Sequence, residues 1–264
     1  LDPANGSVLS TFNLGSVVSP NMTTGATALD RDFDGYDDLL YLGDLAGHIW
    51  RVDLTTNPWT VSKLFDCGQP IQATPVLSMD ENGHVLLFFG TGSYLRGSDL
   101  ATTGNQTLYA ITDDHSGALL TRSNLVDQTS SINVVSNSSR GWFIDLVQHA
   151  GERIIRSPAL VAGTLFVPSF RPKTGVCEGG GESWLYSVDF EDGSRPDNSN
   201  GTERNTTTGR VQSMGDGILS NPSADLVNNH IILQSSNTSL ITQNIDAPLR
   251  RLMVRSWRQV WNGR

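Results

Sequence analysis

The sequence predicts an all-β protein, and within that class a β-propeller of four-stranded blades, from three observations. Long helical periodicity is missing, and short apolar runs are bounded by Gly, Pro, Asn and Asp. A similar unit recurs, with starts at Gly25, Gln72, Arg156 and Ser220. Gln72 follows Gly25 by 47 residues and the later starts are farther apart, near or above the roughly 40 to 50 residues of a typical blade. Four to five blades are therefore expected in this chain.

Each unit opens with a small polar residue and then Pro or Ala, before a first apolar strand. Pro lacks a backbone N–H, so it suits the beginning of a strand. The first strands are predicted in GATALD, QATPVLSMD, RSPALVAG and SNPSADLVNN, and the second strands in LLYLG, VLLFFGTG, TLFVPSF and HIILQSS. In three units a third strand ends in Asp, in HIWRVD, TLYAITDD and SWLYSVDFEDG. Radial packing of such sheets lets each blade bury its faces against two neighbours.

The domain organisation is predicted to be a single propeller, or a portion of one, over residues 1–264. The opening LDPANGSVLSTFNL has an Asp-x-x-x-Gly turn and an outer strand, as at the end of a preceding unit. The chain begins at Leu1 without an initiator Met or a signal peptide. We therefore expect a piece of a longer protein whose upstream residues complete the ring. Polar insertions at residues 95–106, 127–140 and 192–208 have the composition of mobile loops.

The composition excludes some classes of function. A net charge of −9 and a pI near 4.9 argue against the basic surface that nucleic-acid binding needs. No run of about 18 apolar residues occurs, so membrane insertion is not expected. Only the tail LRRLMVRSWRQVWNGR is basic. A content of 38% apolar residues is enough to build a globular core.

The acidic run DRDFDGYDDLLYLG carries the clearest chemical signal. Its carboxylates stand at positions 1, 3 and 5 of a calcium-type loop, Gly35 at position 6 permits a sharp bend, and position 7 offers a backbone carbonyl. Position 12, a bidentate Glu in an EF-hand, is Tyr41 inside an apolar strand, so this is not an EF-hand. The residue at position 9 must then close the coordination sphere. The predicted Ca²⁺ ligands are Asp30, Asp32, Asp34, Asp38 and the backbone carbonyl of Tyr36.

The alternative interpretation of this run is an Asp-Gly turn with solvated charges. Electrostatics favours the metal, because four carboxylates within one turn repel one another unless a cation neutralises them. Asp37 is left out of the ligand set, since strand alternation sends it to the side opposite Asp38.

Other chemistry is not indicated. The sequence has no Gly-x-Ser-x-Gly elbow, His-Glu-x-x-His helix or phosphate loop, and its five histidines lack ligand spacing. It therefore gives no positive argument for catalysis. Cys67 and Cys177 could form a disulfide or remain two separate buried thiols, because spacing alone does not decide the pairing.

Taken in order, several segments resemble the C-terminal β-propeller of the PilY/PilC family of type IV pilus tip-associated proteins. DRDFDGYDDLLYLGDLAGHIWRVDL is similar to the family's calcium loop and the hairpin that follows it. QPIQATPVLSMDENGHVLLFFGTGSYLRGSDL with NQTLYAITDD resembles its Gly-Thr-Gly blade. GWFIDL, GERIIRSPALVAGTLFVPSF and CEGGGESWLYSVD resemble the next blade, and RRLMVRSWRQVW resembles the basic ending. The resemblance covers most of the chain.

This resemblance implies a non-enzymatic, extracellular factor at the cell surface or pilus tip, supporting pilus assembly, surface adhesion and twitching motility. The implied partners are pilins or minor pilins and a host or abiotic surface. Calcium at the loop would regulate the balance of pilus extension and retraction. The family's N-terminal portion, often with a von Willebrand A-type domain, is not among these residues.

Two other functions stay open at this level. An integrin-like FG-GAP adhesion propeller shares the Asp-x-Asp-x-Asp-Gly-x-x-Asp-Leu signature, but there the motif recurs in several blades and here it occurs once. A quinone-dependent dehydrogenase is also a propeller, but many such enzymes carry adjacent cysteines, which this chain lacks. Fold alone does not separate these functions.

Overall fold

A computed structural model describes residues 4–8, 11, 23–136, 138–173, 180–196 and 206–245. Over these residues the chain forms four β-sheets that follow one another along the sequence. Short 3₁₀ helices at Gly97–Ala101 and Arg122–Asn124 lie in the connections. The all-β fold class is confirmed, and the antiparallel sheets have the form of successive propeller blades.

The first two sheets each contain four antiparallel strands in sequence order and one short parallel addition. Sheet one consists of β1 (Thr27–Leu29), β2 (Leu39–Gly43), β3 (His48–Asp53) and β4 (Thr60–Asp66). Sheet two consists of β5 (Val76–Met79), β6 (Val85–Gly90), β7 (Thr107–Asp113) and β10 (Gly141–Asp145). The insertion between β7 and β10 provides the additions: β8 (Leu120–Thr121) beside β4, and β9 (Val126–Asp127) beside β10.

The last two sheets follow the same up-and-down order. Sheet three consists of β11 (Ala159–Val161), β12 (Thr164–Pro172), β13 (Gly181–Asp189) and β14 (Val211–Asp216). Sheet four consists of β15 (Ser223–Asp225), β16 (His230–Gln234) and β17 (Leu240–Asn244). The predicted second and third strands coincide with β2, β3, β6, β7, β12, β13 and β16.

The core lies between successive sheets and not inside any one of them. Three clusters of buried side chains join sheet one to two, two to three, and three to four. Their members include Tyr41 and Tyr109 in the first, Trp142 and Val167 in the second, and Phe166 and Ile231 in the third. Sheets two and three thus pack against a neighbouring sheet on both sides, and sheets one and four on one side.

Some sequence predictions concern residues that the structure does not describe. Most of LDPANGSVLSTFNL and all of Cys177 lie outside it. Cys67 is a free thiol, and its burial raises its pKa to about 12. In the part of the chain that the structure describes, no helix is long and apolar enough to cross a bilayer.

Candidate metal centre

The acidic loop, residues 30–38, connects β1 to β2 at one end of sheet one. Leu29 of β1 pairs with Leu39 of β2, which fixes the two ends of the loop next to each other. The Asp38 N–H donates to the Leu29 carbonyl at 2.8 Å, and the Leu54 N–H donates to the Asp38 carbonyl at 2.8 Å. The base of the loop is therefore held by the sheet on both sides.

Three carboxylates of the acidic loop converge. Oxygen atoms of Asp30, Asp32 and Asp38 lie within 4.8 Å of one another. Asp30 and Asp38 are half-buried and Asp32 is exposed. Among the described residues this is the one group of three or more carboxylate, imidazole or thiol groups with such spacing.

Backbone N–H groups orient these carboxylates. Asp30 accepts from the N–H of Gly35 at 2.8 Å and from the N–H of Asp34 at 3.2 Å. Asp38 accepts from the N–H of Arg31 at 2.8 Å and from the N–H of Asp32 at 3.3 Å. Because the chain wraps around its own side chains, the carboxylates are held together despite their like charges.

The backbone turns sharply where the spacing requires it. Gly35 has φ of 99°, in the left-handed region that side chains rarely adopt, so the bend predicted at position 6 is confirmed. Phe33 also has a positive φ, 61°, and its ring is 40% exposed. The bend thus places an aromatic side chain at the surface.

The remaining predicted site residues occupy different positions. Asp34 does not belong to the converging group; its Oδ1 accepts from the Tyr36 N–H at 2.8 Å. The Tyr36 side chain is 78% exposed, so only its backbone is available to the loop interior. Asp37 is exposed and lies outside the group as well.

Tyr41, at position 12 of the motif, links sheet one to sheet two. The Tyr41 hydroxyl is buried and donates to Asp113 Oδ2 at 2.8 Å. Burial first, and then the Asp113 charge, raise the pKa of Tyr41. Arg51 Nη1 also reaches Asp113 Oδ2, at 3.0 Å. Sequence reasoning missed this contact between sheets, because the strand pattern does not say which residue of the next unit faces position 12.

A small cavity of about 90 Å³ lies next to the acidic loop. Its lining includes Arg31 and Asp38 from the loop, Asp53 and Thr55 from the end of β3, and His115 from sheet two. The cavity thus lies between the acidic loop, the segment that follows β3 and the segment that follows β7.

The donor set suits a hard divalent cation. All converging ligand atoms are carboxylate oxygens, which Ca²⁺ and Mg²⁺ prefer over softer metals. A loop whose N–H groups already orient the carboxylates needs little rearrangement to accept such an ion. The arrangement could thus hold a metal ion.

A second buried polar cluster lies between sheets two and three. Glu152 is fully buried, and its two oxygens bind Ser169 Oγ and His149 Nδ1 separately. His149 stacks on Trp184, with ring centroids 4.0 Å apart. Ser169 is 1% exposed, so its hydroxyl is not accessible from the surface.

A family model described as the PilY1 beta-propeller domain matches residues 1–138. Two relatives from Xylella fastidiosa, each named a type IV pilus biogenesis factor PilY1 homolog, are 28% identical over 203 and 207 residues. These matches cover 62% and 68% of this chain, but 14% and 17% of the relatives.

A relative from Pseudomonas aeruginosa, named type IV pilus biogenesis factor PilY1, is 26% identical over 244 residues, covering 67% of this chain and 21% of its own length. The crystal structure of the Pseudomonas aeruginosa PilY1 C-terminal domain is similar in fold, with a TM-score of 0.64 and 21% identity. It covers 87% of this chain and 62% of the solved one. The chain therefore spans at most about a fifth of these curated relatives.

Proposed function

The chain belongs to the PilY1 β-propeller family, whose model matches more than half of it, and on this premise we propose that it is a calcium-binding factor of type IV pilus biogenesis. The relatives that share its sequence are named as biogenesis factors of that pilus. The observation that carries the calcium part is the convergence of Asp30, Asp32 and Asp38 within 4.8 Å.

In this proposal the acidic loop is the calcium site. Asp30, Asp32 and Asp38 supply carboxylate oxygens, and Asp34 and the Tyr36 carbonyl are the further ligands that the spacing predicts. Bound Ca²⁺ supplies positive charge that offsets the repulsion among the carboxylates. The loop then samples fewer conformations, and its stability rises with the ratio of calcium concentration to Kd.

Ordering of the loop has a consequence for partner contact. Phe33 and Tyr36 are 40% and 78% exposed on the same short segment. Aromatic side chains of this kind are frequent anchors in protein interfaces, and holding them in one conformation lowers the entropy cost of association. We therefore propose that calcium controls how the loop presents these two rings to a pilin or minor pilin.

The cellular role follows from this contact. We propose that the protein acts outside the cell, at its surface or pilus tip, in pilus assembly, surface adhesion and twitching motility. Calcium occupancy would then shift the balance between extension and retraction. The propeller is proposed to act by binding and not by catalysis, as part of a longer protein with its active contacts distributed over several segments.

The test combines binding with motility. Calcium titration by calorimetry on the wild-type chain is compared with an Asp30→Asn/Asp38→Asn variant and with Asp80→Asn as control, because Asp80 is a loop carboxylate outside the cluster. The same substitutions are introduced into the gene in its own bacterium, where surface pili and twitching are measured with and without calcium chelation.

We expect one-site calcium binding that the double variant loses and Asp80→Asn retains, together with loss of the calcium dependence of twitching. If the wild type binds no calcium, the metal site is wrong and the family assignment stands. If calcium binds but the double variant leaves pili and twitching unchanged, the regulatory role is wrong.

A further inference from the structure

A groove of about 340 Å³ opens between sheets two and three, away from the acidic loop. One wall is the segment after β6, with Leu100, Thr102 and Thr103; the other is the end of β12, with Arg171 and Lys173. The acidic loop precedes the second strand of its sheet, whereas this groove lies beyond the ends of second strands. The repeat therefore puts the two on opposite faces of the propeller.

The charge of the groove contrasts with the charge of the chain. Arg153, Arg171 and Lys173 line it, and among the described lining residues there is no carboxylate. The whole chain carries 27 acidic against 18 basic side chains, so this lining is unusually rich in cations; the acids that pair with two of them, Glu182 and Asp216, stand outside it. A concave site lined by one sign of charge concentrates ligands of the opposite sign.

Arg153 is the fixed cation of the groove. It is 2% exposed and donates only to backbone carbonyls: Gly151 at 2.9 Å, Ser93 at 2.8 Å, Asp99 at 2.6 Å and Thr102 at 2.9 Å. These bonds hold the Leu100 wall in place, so the insertion predicted as a mobile loop is anchored to the core. Burial lowers the pKa of Arg153, the expected sign for a guanidinium removed from water.

The carboxylate of Asp99, the acid nearest this guanidinium, binds other groups. Asp99 Oδ2 accepts from Ser93 Oγ and from the N–H groups of Leu95 and Arg96, each at 2.8 to 3.0 Å. It closes the 3₁₀ helix and does not line the groove. The Asp99 charge therefore acts on Arg153 from outside the groove lining.

The other two cations are held by surface ion pairs that a ligand can share. Arg171 bonds to Glu182, and Lys173 Nζ lies 2.9 Å from Asp216 Oδ1. In both pairs every side chain is more than a third exposed. Exposed pairs contribute little stability, because water screens them. An incoming carboxylate can therefore accept hydrogen bonds from both cations at small cost.

We propose that this groove is a binding site for an anionic ligand with a carboxylate or phosphate group, held by Arg171 and Lys173 in the field of Arg153. The hydroxyls of Thr102 and Thr103 on the opposite wall favour a ligand that also carries hydroxyl groups, such as a sugar acid. Its volume is at the lower end of the range for small-molecule sites. The site is independent of the calcium loop.

The experiment is a titration of the ¹⁵N-labelled full chain, followed by amide chemical shifts. The probes are galacturonate, galactose and inorganic phosphate; galactose carries a hydroxymethyl group in place of the galacturonate carboxylate. We expect galacturonate to shift the amides of Thr102, Thr103 and Gly151, and galactose to leave them unchanged. Arg171→Gln and Lys173→Gln should each weaken the binding of galacturonate roughly tenfold, the usual effect of losing one charge-assisted hydrogen bond.

Matched controls come from sheet one and its neighbour. Lys63 pairs with Asp66 at 3.2 Å and is 31% exposed, much like Lys173. Arg122 pairs with Asp145 and lies 3.8 Å from the centre of the Phe143 ring, as Arg171 lies over Trp184. Lys63→Gln and Arg122→Gln should leave galacturonate binding unchanged.

Each outcome decides the proposal. Equal shifts with phosphate and galacturonate support an anion site that reads charge alone, while larger shifts with galacturonate assign the hydroxylated acid. The proposal is overturned if galactose causes shifts as large as those of galacturonate. It is also overturned if neither anion shifts these amides. Equal losses in the control variants would also overturn it, because the effect would then come from overall charge.

Discussion

Two loops at equivalent places in the first two sheets show how differently one position can be used. The acidic loop connects β1 to β2, and residues 80–84 connect β5 to β6. In both, the flanking strands pair directly, Leu29 with Leu39 and Met79 with Val85. The first contains five carboxylates against Arg31, and the second only Asp80 and Glu81.

The shorter turn, residues 80–84, satisfies its charge internally. Asp80 Oδ1 accepts from the N–H groups of Asn82 at 2.8 Å and His84 at 2.9 Å, and Asp80 Oδ2 meets His84 Nδ1 at 2.8 Å. Gly83, with φ of 78°, completes the bend. The charge of this turn is met by its own hydrogen bonds, whereas the acidic loop gathers three carboxylates with backbone N–H groups and one arginine, Arg31, to offset them. Surplus charge thus distinguishes the acidic loop, whose carboxylates could hold a metal ion, from the shorter turn at the same blade position.

The largest expected effect is on calcium affinity. Asp32→Asn removes one converging carboxylate without changing its size, and we expect calcium binding to weaken at least about tenfold, since ligand charge sets affinity in such sites. Asp80→Asn should bind calcium like the wild type. Calorimetric titration measures both. Equal affinity in Asp32→Asn and wild type would remove this residue from the site.

The next effect is calcium-dependent protection of the loop. At a calcium concentration about 100 times Kd, the free energy of unfolding should rise by about 2.7 kcal/mol, provided the ion binds only the folded state. Hydrogen exchange should then slow at the amides of Gly35 and Tyr36, which bond to loop carboxylates. The amides of Asn82 and His84 serve as internal reference for local effects. Identical exchange in calcium and in chelator would contradict the coupling of metal to loop order.

The sequence predicted the strands well because each second and third strand is a dense apolar run ended by a turn residue. HIWRVD and LLYLG coincide with β3 and β2 residue for residue. The position of the acidic loop followed from the same pattern. Its inner arrangement did not, because the rotation of Asp34 toward the Tyr36 N–H depends on local hydrogen bonds that spacing does not encode.

Contacts between distant segments were also beyond the sequence. Tyr41 and Asp113 meet across 72 residues of chain, and Arg153 reaches the Asp99 carbonyl across 54. Both depend on how sheets stack, and periodicity within one strand carries no information about the partner sheet. The buried Arg153 changed the interpretation of the insertion at residues 95–106 from a loose loop to an anchored wall.

A smaller effect tests Asp34, at position 5 of the motif. The spacing predicts it as a calcium ligand, whereas the structure places it outside the converging group. If Asp34 keeps its hydrogen bond to Tyr36, Asp34→Ala should lower the calcium affinity by less than Asp30→Ala does, because Asp30 belongs to the converging group. Both alanine variants are titrated under the same conditions. An equal loss would show that Asp34 turns inward to ligate the metal, as the spacing predicts.

The smallest expected effect is the pH dependence of the self-contained turn, residues 80–84. Burial alone would raise the pKa of Asp80, but hydrogen bonds from His84 and Asn82 outweigh it and lower the pKa below 3.8. A lowered pKa in the folded state means that the stabilisation is complete above pH 3.8 and is lost as the pH falls through the folded value.

The contribution is at most about 1 kcal/mol, since Asp80 is partly exposed and solvent screens its contacts. Asp80→Asn should therefore be slightly less stable than the wild type at pH 5, and the difference in free energy of unfolding should shrink toward pH 2. Denaturant unfolding in chelator at several pH values measures it without interference from the acidic loop. A difference that stays constant or widens on acidification would mean that the turn is not held by the Asp80 charge, and the contrast between the two loops would then rest on geometry alone.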